Sequence, residues 1–180
     1  QYSDTGYVLL GAILEARTGL SYGDAMAELL GYDTLGLTHT VWEEPGAEPV
    51  TERVHQYYGE QDTIAWDASI DLFGGGGLVS TTADLATFFG ALGRGEVFDD
   101  ADTFSTMSTV VGPDPMLAKG LFIASDGERP CFFHEGFWGV LALTCPDLDL
   151  TIARSWLQAV PAEGWSENDL LLEIVAAVRG

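Results

Sequence analysis

Four short segments in the last part of the chain constrain the fold most. Leu117 to Ala124, Cys131 to His134, Val140 to Cys145 and Leu150 to Trp156 are rich in β-branched and aromatic residues, and turn signals such as Asp126-Gly127 and Pro146-Asp147 separate them. Connections this short allow only antiparallel neighbours, so the segments predict a meander with the His134 strand beside the Val140 strand. Ser166 with Asp169 caps a last helix, Leu170 to Val178, apolar enough to lie across a sheet face.

The earlier part has a helical rhythm. Tyr7, Leu10, Ile13 and Leu14 repeat at helical spacing, Val8 and Leu9 fill other faces, and Gly19 offers a left-handed stop, which predicts a mostly buried helix over Thr5 to Ala16. Ser21 and Asp24 form a capping box for a helix from Tyr22 to Leu30, and Thr81 and Asp84 form one for a helix through Leu85, Phe88, Phe89 and Leu92. Between them, Tyr32 to Asp71 has prolines at 45 and 49 and no sustained period, so it reads as a long, partly irregular excursion. Such a loop is unusual inside a small independent domain and suggests that partner structure lies elsewhere. Helices, then strands, then a helix predict an α+β fold, an antiparallel sheet flanked by helices. A helical lobe is expected over 1–105 and a sheet lobe over 106–180.

Twenty-eight acidic residues against seven basic ones give a net charge of −21, which repels phosphate backbones and anionic lipid and excludes nucleic acid as a partner. A solvated acidic surface suited to high salt is the plain reading of that charge. No apolar run approaches the roughly 20 residues needed to span a bilayer. The chain opens Gln1-Tyr2-Ser3-Asp4 without an initiator Met or a signal-peptide pattern, and this start is read as a cut. Cys131 and Cys145 flank paired strands, where a cross-strand bridge could form, but two buried reduced thiols are expected.

Familiar catalytic motifs are missing. Gly74 to Gly77 is not followed by Gly-Lys-Ser/Thr, so it is read as a turn that lets backbones pass closely, not as a phosphate cradle. His39 and His55 lack metal-ligand spacing and are read as surface or loop histidines. No metal or other cofactor is expected.

Four blocks in order nonetheless resemble one family. Tyr2-Ser3-Asp4-Thr5-Gly6-Tyr7 looks like a Tyr-x-Asn loop entering its helix, and Leu35-Gly36-Leu37-Thr38-His39-Thr40 is similar to a Leu-Gly-Met-x-x-Thr turn. Gly75-Gly76-Gly77-Leu78-Val79-Ser80-Thr81-Thr82-Ala83-Asp84-Leu85 is similar to a Gly-Gly-Leu-x-Ser-Thr-x-x-Asp-Leu block, and His134-Glu135-Gly136 falls where a Lys-Thr-Gly or His-x-Gly strand motif stands. The blocks resemble the penicillin-recognising serine hydrolases, the class C β-lactamase and D,D-peptidase family. The resemblance implies an incomplete β-lactamase/transpeptidase-like fold, and a cell-envelope or secreted location. It also implies acyl transfer through a serine in a Ser-x-x-Lys helix.

That helix is absent from the chain. Its only lysine, Lys119, has Met116 where the serine would stand, so the nucleophile and its lysine are expected on a missing N-terminal segment of the same protein. In this resemblance Tyr2 is the proton relay, which needs a nearby cation because a free phenol has a pKa near 10. Asp4 replaces the family's Asn and cannot donate to a carbonyl, so it is expected to cap the helix or pair with the missing lysine rather than bind substrate. His134 would donate to a substrate carboxylate or to the Tyr2 oxygen. Gly136 would leave room for substrate backbone, and the Phe137 N–H would meet an oxyanion. Glu135 should point away from the ligand by strand alternation, and its charge favours a substrate without a free carboxylate.

Three functions follow. The intact protein is a serine hydrolase acting on a D-amino-acid peptide, a β-lactam or an ester; or it is a non-catalytic peptide or cell-wall binding module; or the fold is inherited without function. The charge makes a separate prediction. Molar sodium chloride should raise the melting temperature, because screening weakens self-repulsion; a fall in a calorimetric scan between low and molar salt would contradict the high-salt reading.

Overall fold

A computed structural model describes residues 3–48, 53–70, 73–124, 129–157 and 167–179. The chain begins with α1 (Asp4–Thr18). Ser3 caps it by accepting the Gly6 N–H, and Gly19 stops it at φ 74°, a left-handed conformation that glycine adopts at little cost. The Ser21 hydroxyl accepts the Asp24 N–H to start α2 (Tyr22–Leu29), and the short α3 (Tyr32–Leu35) follows. The excursion then holds β1 (Val41–Trp42), β2 (Tyr57–Tyr58) and β3 (Gln61–Asp62), with β2 and β3 forming a hairpin. After the glycine run, β4 (Leu78–Val79) pairs antiparallel with β1, and α4 (Thr82–Gly93) starts where the Thr81 hydroxyl accepts the Asp84 N–H. The helix α5 (Asp102–Met107) leads to the sheet.

That sheet is the predicted meander. Its strands β5 (Phe122–Ala124), β6 (Cys131–Glu135), β7 (Val140–Cys145) and β8 (Leu150–Ser155) lie in chain order, all antiparallel. Strand alternation divides the side chains between two cores. Phe132 and Ala142 meet Phe89 and Leu92 of α4 on one face, while Cys131, Leu141, Leu143 and Cys145 meet Val175 of α6 (Glu167–Arg179) on the other. Gly93 lets α4 settle on the sheet, because a Cβ there would lie 2.3 Å from the Thr144 hydroxyl oxygen. The expected cap Ser166 lies outside the described residues.

Two expectations need correction. Cys131 and Cys145 are joined in a disulfide, not reduced. The Phe132↔Thr144 and Phe133↔Leu143 register puts the cysteines opposite one another, with Cα atoms 4.2 Å apart, within the reach of a bridge. The helix α1 is also far more exposed than its apolar rhythm predicts: Leu9, Leu10 and Ile13 are 60%, 58% and 56% exposed, and only Gly11 is buried. Among the described residues, α1 packs mainly against the glycine run and α2, and the Tyr7 hydroxyl also comes close to Gly120.

That contact is backbone against backbone. A Cβ at Gly74 would stand 2.5 Å from the Tyr7 carbonyl oxygen, whereas one at Gly75 would lie an ordinary 3.6 Å from a Val8 methyl. Gly74→Ala should therefore lower the stability measured by urea unfolding by about 2 kcal/mol or more, and Gly75→Ala by less than about 1 kcal/mol. Equal midpoints for the two variants would show that α1 is not held by this approach. Separately, a thiol reagent should find no free cysteine in the denatured, unreduced chain and two after reduction.

Candidate active site

The described candidate residues lie on β6 and the turn after it, with His134, Gly136 and Phe137, and in the first turn of α1, with Asp4. Asp4 is the first residue of α1 and is exposed, in the turn where a carboxylate suits the helix dipole. His134 stands on β6 opposite Ala142, on the α4 side of the sheet, and its ring lies 5.4 Å from that of Phe122. Burial pushes the His134 pKa below the usual histidine value. The Glu135 backbone and carboxylate and the Asp4 carboxylate oppose that shift, so Asp4 lies within electrostatic reach of His134. Tyr2, the expected proton relay, lies outside the described residues. Alternation turns Glu135 to the α6 side, with Cys131 and Phe133.

The turn after β6 has an open edge. Gly136 donates its N–H to the Val140 carbonyl at 2.7 Å, and Gly139, at φ 82°, donates to the Gly136 carbonyl at 3.0 Å. The Phe137 N–H meets no acceptor among the described residues, and the Phe137 side chain is 61% exposed. A Cβ on Gly136 would touch nothing closer than 3.9 Å, so packing within the chain does not require glycine there. Space is left beside the strand, and an N–H is left to face it.

One buried carboxylate ties the surrounding blocks. Asp84 accepts from the His39 N–H at 2.8 Å and from the Thr40 hydroxyl at 2.9 Å, and Thr40 also bonds Ser80. The turn 35–40 and the glycine-rich block are thus one unit in space.

Sequence reasoning missed the neighbouring cleft. It is lined by the Arg53–Glu43 ion pair, Thr63, Trp66, Gly77, Leu78 and Trp138, and Arg53 also donates to the Ile64 carbonyl. Rings join Trp66 to Trp138 and Trp138 to Phe137, which stacks on Tyr58. Trp138 was visible beside the strand motif, but Arg53, Tyr58 and Trp66 belong to the aperiodic excursion. Among the described residues no group of acidic, histidine or cysteine side chains could hold a metal, and no helix is long and apolar enough to cross a membrane.

An antiparallel sheet between α4 and α6, with further helices before it, has the architecture of the β-lactamase/transpeptidase-like fold. The family model named Beta-lactamase matches residues 1–177, and the chain belongs to that family. No curated protein sequence matches it. Among solved structures it is similar to a D-stereospecific amidohydrolase from Streptomyces sp., with 24% identity over 88% of this chain and 50% of that one, TM-score 0.75. It is similar to the D-amino acid amidase from Ochrobactrum anthropi SV3 complexed with L-phenylalanine, with 22% identity over 100% of this chain and 58% of that one, TM-score 0.79. It is also similar to EstCE1, a hydrolase with promiscuous acyltransferase activity, with 18% identity over 99% and 56%, TM-score 0.67. The chain thus spans about half the length of the structures it matches.

The buried histidine has a measurable consequence. Its folded pKa lies below the unfolded value of about 6.5, so the unfolded chain takes up the proton first. His134 should therefore cost stability as pH falls below about 6.5, with the loss levelling off below the folded pKa. His134→Gln should remove that component of the slope in urea titrations at several pH values; an identical slope would place His134 in solvent.

Proposed function

We propose that the intact protein is a serine hydrolase that works through an acyl-enzyme, and that this chain carries the groups that relay protons and polarise the carbonyl. The observation that supports this most is the convergence of Asp4 at the head of α1 with His134 on β6, beside the open Gly136–Phe137 turn. The serine and lysine belong to a preceding segment of the same protein, which would also cover Leu9, Leu10 and Ile13 on α1. In that setting the lysine ammonium stabilises the Tyr2 phenolate, which takes the serine proton and passes it to the leaving group. A mostly neutral His134 donates one N–H towards the Tyr2 oxygen or the substrate, and the Phe137 N–H receives the oxyanion. The substrate is a D-amino-acid peptide or amide, a β-lactam or an ester; the similarity to amidohydrolase and amidase structures is what supports ranking amides of D-amino acids first.

Asp4 favours a second reading, a binding module without turnover. An ionised carboxylate cannot make the amide donation of an Asn, and its charge repels anionic substrates.

Labelling separates the two. The 180-residue chain alone should neither hydrolyse an activated ester nor take up a fluorophosphonate or penicillin by mass spectrometry, while the protein extended upstream should do at least one. A label on Ser3 or Ser80 would mean a different nucleophile. In the extended protein Tyr2→Phe should lower kcat by about a hundred- to ten-thousand-fold; an unchanged rate would leave Tyr2 a packing residue.

A further inference from the structure

The two most exposed aromatic rings near the site are stacked on each other. Tyr58, 51% exposed, and Phe137, 61% exposed, have centroids 6.1 Å apart and planes inclined by 24°. They come from distant parts of the chain, so the stack depends on how the excursion docks on the β6–β7 turn. The excursion meets the turn through a long contact from the Gln56 side-chain amide to the Trp138 carbonyl at 3.5 Å, and it is tied to the segment after β8 by the Tyr57 N–H donating to the Leu157 carbonyl at 2.7 Å. That segment in turn donates from the Trp156 N–H to the Gly139 carbonyl of the turn. Behind the stack, Trp138 meets Phe137 edge-on at 5.1 Å, and Trp66 meets Trp138 edge-on at 5.8 Å. Large aromatic area left in water at a supported, ordered position marks a contact surface, because its desolvation favours whatever flat apolar group covers it.

We propose that Tyr58 and Phe137 form a specificity platform that selects acyl groups carrying a flat apolar substituent and no carboxylate. This inference rests on the hydrolase reading above. The connection to the reaction is covalent: Phe137 supplies both the ring and the N–H that would hold the carbonyl oxygen. A group bonded to that carbonyl carbon therefore lies within about one side chain of the stack. The field selects further. Asp4 acts on His134 from the α1 side and Glu135 from its own strand, and the chain carries a net −21. A carboxylate on the acyl group would meet like charge from Asp4 and Glu135, whereas a phenyl group keeps its contact with the rings.

The test uses the full-length protein and methyl thioesters with phenylacetyl, acetyl and succinyl acyl groups, so that the leaving group stays small and constant. Thiol release gives kcat/KM for each. Phenylacetyl should exceed acetyl by at least about tenfold and succinyl should be the poorest. Tyr58→Ala should collapse the phenylacetyl-to-acetyl ratio towards one, and Tyr58→Phe, which keeps the ring, should restore it. The proposal is overturned if the ratio in Tyr58→Ala equals that of the unsubstituted protein, if Tyr58→Phe loses it equally, or if succinyl is preferred. Turnover of all three esters without preference removes the platform and leaves the hydrolase reading intact. Failure of every ester together with no fluorophosphonate label removes both.

Discussion

The approach of α1 to Gly74 carries the rest of the site. A helix and a turn meet here through main chain, with the Tyr7 carbonyl where any Cβ on residue 74 would lie. Such a contact has almost no tolerance, unlike side-chain packing, which can absorb a few tenths of an ångström by changing rotamers. It fixes α1 on the glycine run, and Asp84 locks the segment beyond that run to the turn 35–40. The head of α1, with Asp4, is thereby held within electrostatic reach of His134 on the interior strand β6. The apolar side chains on the outer face of α1 contribute little to this placement, since Leu9, Leu10 and Ile13 remain largely in solvent.

What the sequence disclosed depends on the range of each signal. Caps and turns are local chemistry, so Ser21 with Asp24 and Thr81 with Asp84 start helices where expected, and the short connections order β5 to β8 as antiparallel neighbours. The disulfide needed something longer in range. Its partners meet only through the β6–β7 register, which the sequence suggested as adjacency but did not set residue by residue. The exposure of α1 was hidden for a related reason: helical periodicity says which residues share a face, not what covers that face. His134, Gly136 and Phe137 could be put forward as candidates because one short strand motif holds all three, and its strand and turn form where that motif lies. Tyr58, Trp66 and the Arg53–Glu43 pair were not, because an aperiodic segment carries no pattern that foretells where its side chains dock.

The scarcity of cations shapes the same region. Of the few arginines, Arg53 is held by Glu43 and the Ile64 carbonyl, Arg94 by Glu96, and Arg179 by the Arg129 carbonyl beside Cys131. Arg154 lies against the Trp156 ring. These guanidiniums serve the fold, and the exposed Arg94–Glu96 pair contributes little to stability in water. The lone lysine, Lys119, donates to the Thr106 carbonyl.

Asp4 and His134 must therefore be considered together. Where the family pattern has a neutral amide, this chain has a carboxylate, and the nearest titratable partner on β6 is a histidine that burial keeps largely uncharged at neutral pH. A carboxylate beside a neutral imidazole leaves one negative charge at the mouth of the site. A cation brought there by the rest of the protein would be stabilised by Asp4 and would in turn lower the pKa of a neighbouring phenol. The structure gives the capping role expected of Asp4 to Ser3 instead, and Asp4 sits one residue further on, where its charge suits the helix dipole. Under the hydrolase reading, a carboxylate at position 4 would tie the chemistry more closely to a positive charge than a neutral amide would.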